Sequence, residues 1–433
     1  MRILYVSHYF PPEMGAPAGR VAGLGRAWAA AGHDVHVLTG FPHHPTGRIH
    51  PDYRRSFRRG FLREELDGVR VHRTWIFPAA NRGKIRRSLN YTSFMASAAI
   101  AGSLRLPRPD VVVATSPQLL CAAAGHLLAR RFRVPLVMEV RDLWPESLIA
   151  VGASGRQSAL VTGLERIARA LYARAAHIVT VTESQRDVIV RMGVPATRVS
   201  VVPNGVDRAF LAAGASLSGS VLPAPGALFE VTYIGTIGMA HHLETLLEAA
   251  EILRDEPRFH FRLVGEGARR EPLESLARSR RLANVEFCGE RPRGEVPRWI
   301  ADSSACAVLL RRNDVFRTVV PSKLLEVMAV GRPILLGVEG EARSLVDRAG
   351  AGVAIEPENA VQLASAIRTL ASDPERCRRL AENGRAFVTR EFVREKLAER
   401  YAGILTRLVA PAEVSQVAAQ QPCSSLPSIE EPG

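Results

Sequence analysis

A series of short apolar runs, separated by stretches of helical period, occurs twice along this 433-residue chain. "RILYVS", "DVHVLTG", "DVVVATS", "PLVMEV", "HIVTVT" and "VSVVP" form the first set; "VTYIG", "FRLVG", "VEFCG", "CAVLL", "PILLG" and "GVAIEP" form the second. Strands that are apolar without alternation have both faces covered, as in a parallel sheet wrapped in helices. Two open α/β sheets are therefore expected. The stretch from Gly205 to Glu230, rich in Gly, Ser, Pro and Ala, reads as the connection between them. The expected organisation is an N-terminal domain over 1–206 and a second domain over 207–390. An amphipathic helix over 391–410 then returns to the first domain, and a tail over 411–433 is disordered. Ligands of such sheets bind at the carboxyl ends of the strands, so the chemistry is expected in a cleft between the domains.

No run reaches the ~20 apolar residues of a membrane span. The stretch Ser88 to Leu104 carries Asn90 and reads as a helix on a domain. The N-terminus enters a strand directly, without the ordered basic, apolar and small-residue regions of a leader, so a cytoplasmic location is expected. Five scattered cysteines show no metal-ligand spacing. The net charge of +14 is almost wholly arginine, because Lys84, Lys323 and Lys396 are the only lysines. Arginines gather in "RRSFRRGFLR" (Arg54 to Arg63) and "RGKIRR" (Arg82 to Arg87), beside aromatic or apolar residues. An anionic membrane surface fits these clusters, with ordinary solvated arginines as the alternative. Nucleic acid is not expected as a partner, since no reading motif or stacking array accompanies the charge.

One of the three lysines lies in "RTVVPSKLLEVMAVGRPIL", where Pro321 and Ser322 open a helix and Gly331 and Pro333 close it. Lys323 and Glu326, three residues apart, share a face. As an exposed ion pair they contribute roughly a few tenths of a kcal/mol. At a cleft mouth, Lys323 meets phosphate as a point charge and Glu326 accepts from a ribose diol. In "VTYIGTIGMAHHLETLLEAA" a strand ends in a turn containing Gly235, Thr236 and Gly238, and a helix is expected from about Ala240. Its free N–H groups suit a diphosphate, although such glycines also serve as plain turns. His241 and His242 read as helix surface. "FRLVGEGARREPL" places Gly265, Glu266 and Gly267 at a second strand end, but Arg270 occupies the third glycine position of a nicotinamide fingerprint, which argues against a dehydrogenase.

In the first half, "VPLVMEVRDLWPESL" runs off a strand into Arg141, Asp142 and Trp144, either a site or a pair that stabilises a loop. "GAPAGR" sets Gly15, Gly19 and Arg20 at the start of the first helix, with a solvent-facing arginine as the alternative. No Asp-x-Asp occurs, so protein groups are expected to neutralise charge, without metal or other cofactor.

The order of these motifs resembles the glycosyltransferase family 4 enzymes, from Met1 to about Val409. The resemblance is carried by "PPEMGAPAGR", "LGRAWAAAGHDVHVLTG", "VVPNGVD", "YIGTIG", "LVGEGARREPL" and "PSKLLEVMAVGRPIL". "RDLWPES" with "GTIGMAHHLETLLEAA" is similar to a WbuB-type branch, associated with N-acetylated 6-deoxyhexosamines of bacterial surface polysaccharides such as O-antigen and capsule. The resemblance implies the GT-B fold, two Rossmann-like doubly wound domains facing across a cleft. It implies a nucleotide-sugar donor, usually UDP-linked, on the second domain and a lipid-linked or oligosaccharide acceptor on the first. Transfer is implied to proceed with retention and without metal. On this basis Arg141, Asp142 and Lys323 are catalytic candidates, and Gly15, Gly19 and Arg20 lie on the acceptor side. Gly235, Thr236, Gly238, Gly265, Glu266, Gly267, Lys323 and Glu326 are donor-binding candidates.

Two departures from the family pattern stand out. Thr318 occupies the place of a glutamate eight positions before Glu326, and the Gly235 turn lacks the Arg and Lys that usually clamp the diphosphate. Lys323 is expected to take over the clamp, with Arg311 or Arg317 sharing it. The alternatives are a sugar-nucleotide epimerase or hydrolase on the same scaffold, or a non-catalytic membrane-peripheral assembly protein.

Overall fold

Each apolar run becomes a strand. The computed structural model describes residues 1–13, 15–44, 46–80, 84–116, 118–144, 159–217 and 226–410. The tail expected over 411–433 lies outside them, as does part of the 205–230 connection. The first half runs β1 (Arg2–Val6), α1 (Ala16–Ala30), β2 (Asp34–Gly40), α2 (Arg54–Phe57), β3 (Phe61–Leu66), β4 (Val69–Thr74) and α3 (Lys84–Arg105). It continues through β5 (Val111–Thr115), α4 (Leu119–Phe132), β6 (Leu136–Val140), α5 (Ala159–Arg174), β7 (His177–Thr180), α6 (Glu183–Arg191) and β8 (Val199–Val201). The second half runs α7 (Arg208–Leu217), β9 (Phe229–Ile234), α8 (Glu244–Ile252), β10 (Phe259–Val264), α9 (Arg270–Ser279), β11 (Val285–Gly289), α10 (Val296–Ala301) and β12 (Ala305–Leu309). It ends with α11 (Ser322–Val330), β13 (Ile334–Gly337), α12 (Glu341–Ala349), β14 (Gly352–Ala354), α13 (Ala360–Ser372), α14 (Pro374–Glu391) and α15 (Arg394–Val409).

The strands form two sheets, ordered β3-β4-β2-β1-β5-β6-β7-β8 and β11-β10-β9-β12-β13-β14. All pairings are parallel except β3 with β4. The strand order reverses direction between β1 and β5 in the first sheet and between β9 and β12 in the second. Those switch points open the crevices into which ligands of doubly wound sheets fit.

Two parts depart from the sequence reading. The expected strands do not include β3 and β4: the end of the basic run Arg54 to Arg63 enters β3, which pairs antiparallel with β4 at the sheet edge. Arg73 is buried inside β4 because Glu64 accepts from its Nε and the Gly40 and Pro11 carbonyls accept from its terminal nitrogens. Residues 208–217 are helix rather than linker, with Phe210 buried in the core of the second domain. Gly214 permits this, since a Cβ there would fall 2.3 Å from the Ala329 carbonyl oxygen.

The two halves are tied by α15. Its Leu397, Tyr401 and Leu405 bury against β1, β2 and α1 of the first sheet, and Trp28 Nε1 donates to the Ala398 carbonyl at 2.8 Å. Each such buried side chain stabilises the junction by roughly 1.5–3 kcal/mol. Arg394 reinforces it, donating to the Gly19 and Gly205 carbonyls and pairing with Asp207 at 2.8 Å. At the other side of the cleft, Thr182 Oγ1 donates to the Thr318 carbonyl at 2.8 Å and Ser184 bonds Glu341.

Candidate functional site

β9 ends at the second switch point, and the chain turns there through Gly235, which has φ +131°. The neighbouring turn after β10 interlocks with it. Gly235 N donates to Val264 O, Ile237 N to Glu266 O and Arg269 N to Ile237 O. Gly265 and Gly267 make that approach possible, because a Cβ on either would fall 1.9 Å from Gly235 O or 2.2 Å from Ile237 O. Their φ values of +148° and +157° also favour glycine. Glu266 points away to pair with Arg270 on α9.

Lys323 reaches this turn from the first turn of α11. Its Nζ donates to the Tyr233 hydroxyl at 2.7 Å and lies 3.9 Å from that ring's centre. A Cβ on Gly235 would fall 2.9 Å from Nζ. Tyr233 in turn donates to Thr236 O at 2.6 Å, so one hydroxyl fixes both the lysine and the turn. Burial pushes the Lys323 amine down to about 7, with Glu326 opposing the shift. Among the described residues no carboxylate is bonded to the Lys323 amine.

Glu326, one turn along α11, accepts from Arg293 at 2.6 Å through Oε1. Arg293 lies over the Phe210 ring at 4.6 Å. Thr318 sits in the 3-10 turn Asp314–Thr318, with its hydroxyl donating to Val315 O and its carbonyl accepting from Thr182. Arg317 is half-exposed and near Asp314 at 3.8 Å, whereas Arg311 N is bonded to Ala240 O.

His241 is not on a helix surface. The helix starts at Glu244 rather than Ala240, because His242 adopts φ +44° and breaks the turn. His241 packs edge-on against Tyr233, with ring centres 5.8 Å apart. Its buried Nδ1 has no partner among the described residues. Burial, then the Lys323 charge, hold it near 3 and therefore neutral.

On the facing domain, Arg141 follows β6 and is buried. Its backbone N–H is bonded to Ser116 and its carbonyl to Gln185, while Nε and Nη1 have no partner among the described residues. Burial lowers its pKa, and Glu139 and Asp142 oppose this. Arg141 and Asp142 do not form an ion pair with each other, although both residues are described. Burial raises the Asp142 carboxyl, against the pull of Arg141. Gln185 lies in the first turn of α6, whose N-cap Thr182 and whose Ser184 reach the second domain, so Arg141 lies in the cleft wall near the junction.

Gly15 caps α1 at φ +120°, and Gly19 has open space where a Cβ would project. Arg20 is buried beneath them rather than solvent-facing. It pairs with buried Glu139 at 2.9 Å and donates to Val202 O, Pro203 O and Asn204 Oδ1. Glu139 also accepts from Tyr5 and Thr115. Burial would raise its pKa, but Arg20, Arg141 and these hydroxyls hold it below the usual value.

Sequence reasoning missed Tyr233, His241 and Arg293, and on the first domain a polar cluster at the ends of β1 and β2. There, Asn90 bridges His8 at 3.0 Å and His43 at 2.9 Å. Glu13 Oε1 accepts from the His43 and His44 backbone N–H groups, and its Oε2 is buried without a partner among the described residues. Burial pushes Glu13 up to about 7. The "HYFPPE" run signals a strand end, but nothing in it indicates that Asn90 completes the cluster.

Two doubly wound sheets with their switch points on a common cleft define the GT-B architecture. Residues 15–205 match the family model for a glycosyl transferase 4-like domain, and residues 221–387 match that for glycosyl transferases group 1. The chain is 28% identical over 382 residues to WcaI of Escherichia coli, named for colanic acid biosynthesis glycosyl transfer, covering 85% of this chain and 91% of WcaI. Among solved structures, sucrose-phosphate synthase from Thermosynechococcus elongatus superposes with a TM-score of 0.73 at 20% identity, covering 94% of this chain and 98% of that one. HepE of Anabaena, solved with UDP-glucose, gives 0.67 at 16% identity, covering 94% and 100%. The chain belongs to glycosyltransferase family 4. It is a glycosyltransferase.

Proposed function

We propose that the protein transfers a sugar, an N-acetylated hexosamine or deoxyhexosamine, from a UDP-linked donor to a lipid-linked or glycan acceptor during surface-polysaccharide synthesis. The observation that carries the donor half is the Lys323 ammonium, buried beside the Gly235 turn with a tyrosine hydroxyl as its one hydrogen-bond partner among the described residues. A diphosphate there would take its charge from Lys323 and hydrogen bonds from the Gly235–Gly238 turn, with no metal required. Glu326 Oε2 would take the ribose diol. The UDP-glucose complex of HepE and the name of WcaI support the donor class and the pathway class.

In this reading the acceptor hydroxyl attacks the anomeric carbon on the face from which the diphosphate departs. Its proton passes to the leaving phosphate oxygen, and the configuration is retained. Arg141, whose Nε and Nη1 have no partner among the described residues, orients the donor sugar or acceptor, and Asp142 shapes that wall. The Gly15–Gly19 face of α1 and the Glu13 cluster border the acceptor. An acceptor anchored in lipid brings the chain to an anionic inner membrane face through Arg54 to Arg63. No helix among the described residues is long and apolar enough to cross a membrane.

The test is a panel of nucleotide sugars incubated with lipid-diphosphate acceptors, with the product anomer read by NMR. Transfer with retained configuration from a UDP-sugar is expected. Rapid epimerisation or hydrolysis of donor alone, without transfer to any acceptor, would instead establish the epimerase or hydrolase reading.

A further inference from the structure

The outer face of α3 is apolar and is not covered by any other described residue. Ile85, Leu89, Ile100 and Leu104 are 78%, 48%, 62% and 77% exposed. With Thr92 and Ala96 between them, their spacing aligns them along one side of the helix. The opposite side buries Phe94 and Ala98 in the core shared with α4. Thr92, the polar residue within the stripe, spends its hydroxyl on the Ser88 and Leu89 carbonyls, so the stripe has no unmet polar demand there. Trp75, 42% exposed, extends the patch; Ser97 of α3 bonds its carbonyl and Phe57 stacks on its ring.

Positive charge predominates around this patch. Arg54, Arg55, Arg58 and Arg59 are exposed on α2 and the turn after it. Arg63 donates to the Arg105 carbonyl at the end of α3, and Arg105 lies over the Phe61 ring. Arg86 is exposed at the start of α3. Asp52, Glu65 and Asp67 are the exposed acids in this stretch, Asp67 lying 3.7 Å from Arg26, while Glu64 is already paired with Arg73. A second copy of the chain docking here about a two-fold axis would set two arginine rims against each other. An anionic bilayer instead offers phosphates to the rim and acyl chains to the stripe.

We propose that α3 lies in the headgroup layer of an anionic bilayer, with its Ile85 to Leu104 stripe inserted and the surrounding arginines on lipid phosphates. This rests on the membrane-surface reading above and adds the inserting element. The buried side of the same helix carries Asn90, which bonds His8 and His43 at the strand ends. One helix diameter, about 10 Å, therefore separates the lipid from the acceptor side of the cleft.

Vesicle flotation tests this, using full-length protein with phosphatidylcholine alone and with one-third phosphatidylglycerol. Wild type is expected to float with the anionic vesicles only. Ile100→Glu combined with Leu104→Glu should cut that partition about tenfold or more. Its melting temperature and its transfer rate to a short-chain soluble acceptor should be unchanged. Unchanged flotation of this variant, with binding still abolished by high salt, would overturn insertion while leaving electrostatic attachment standing. Absence of wild-type flotation would overturn both. A wild-type dimer that the double variant dissociates would also overturn the proposal, by assigning the stripe to a second copy.

Discussion

Donor binding should be coupled to proton uptake at Lys323. Burial holds its amine at about 7 in the free protein, against the opposing influence of Glu326. A bound diphosphate favours the ammonium and would return the pKa to its ordinary 10.5 or above. The apparent donor dissociation constant then scales as one plus ten to the power of pH minus the free pKa. UDP binding should weaken about fifty-fold from pH 7 to pH 9. His241 adds no proton over this range, since burial and the Lys323 charge hold it near 3. The assay is calorimetric titration of UDP at pH 8.5, where the terminal phosphate is already fully ionised, in two buffers of different ionisation enthalpy. About one proton should be taken up per UDP. Binding enthalpies that do not depend on buffer, together with an affinity flat from pH 7 to pH 9, would refute this reasoning.

Three further outcomes follow from named contacts. Lys323→Met should abolish measurable UDP binding yet stabilise the free protein by about 1 kcal/mol or more at pH 6, since a buried unpaired charge is replaced by a side chain of similar length. Because the folded pKa lies below the unfolded one, wild-type stability gains as pH rises from about 7 to 10.5, so a series of thermal melts should show the variant's advantage shrinking over that window. Gly265→Ala forces a Cβ to 1.9 Å from Gly235 O at a φ of +148° and should cost about 2–3 kcal/mol in urea unfolding, with donor affinity falling as the paired turns separate. Glu13→Gln keeps an acceptor for the two backbone N–H groups. Wild-type Glu13, raised from 4.5 to about 7, contributes stability that is full below 4.5 and lost as pH rises through 7. The variant should therefore melt higher than wild type at pH 8, with the difference vanishing by pH 4.

Burial on both faces made the central strands legible, because it removes polar residues from the sequence altogether. β4 escaped notice for the converse reason. Arg70, His72 and Arg73 break its apolar run, and Arg73 is accommodated only by partners that no local pattern announces. Lys323 and Glu326 could be read from the sequence because Pro321 and Gly331 mark the ends of their helix. Tyr233 could not, since a tyrosine in an apolar run reads as core; its hydroxyl matters only once Lys323 arrives from 90 residues away. Arg20 was drawn toward the acceptor side by its place in α1, while its partner Glu139 lies 119 residues further on. What the sequence leaves hidden is the meeting of polar groups from distant strand ends, which depends on sheet order rather than on spacing along the chain.

On the proposed reading, Lys323 replaces the missing cations of the Gly235 turn as the diphosphate clamp. A crystal structure of the full-length protein with UDP tests it most directly. A diphosphate oxygen is predicted within about 3.2 Å of Lys323 Nζ, with the ribose hydroxyls on Glu326. A diphosphate held by Arg293, Arg311 or Arg317, with Lys323 still bonded only to Tyr233, would contradict it.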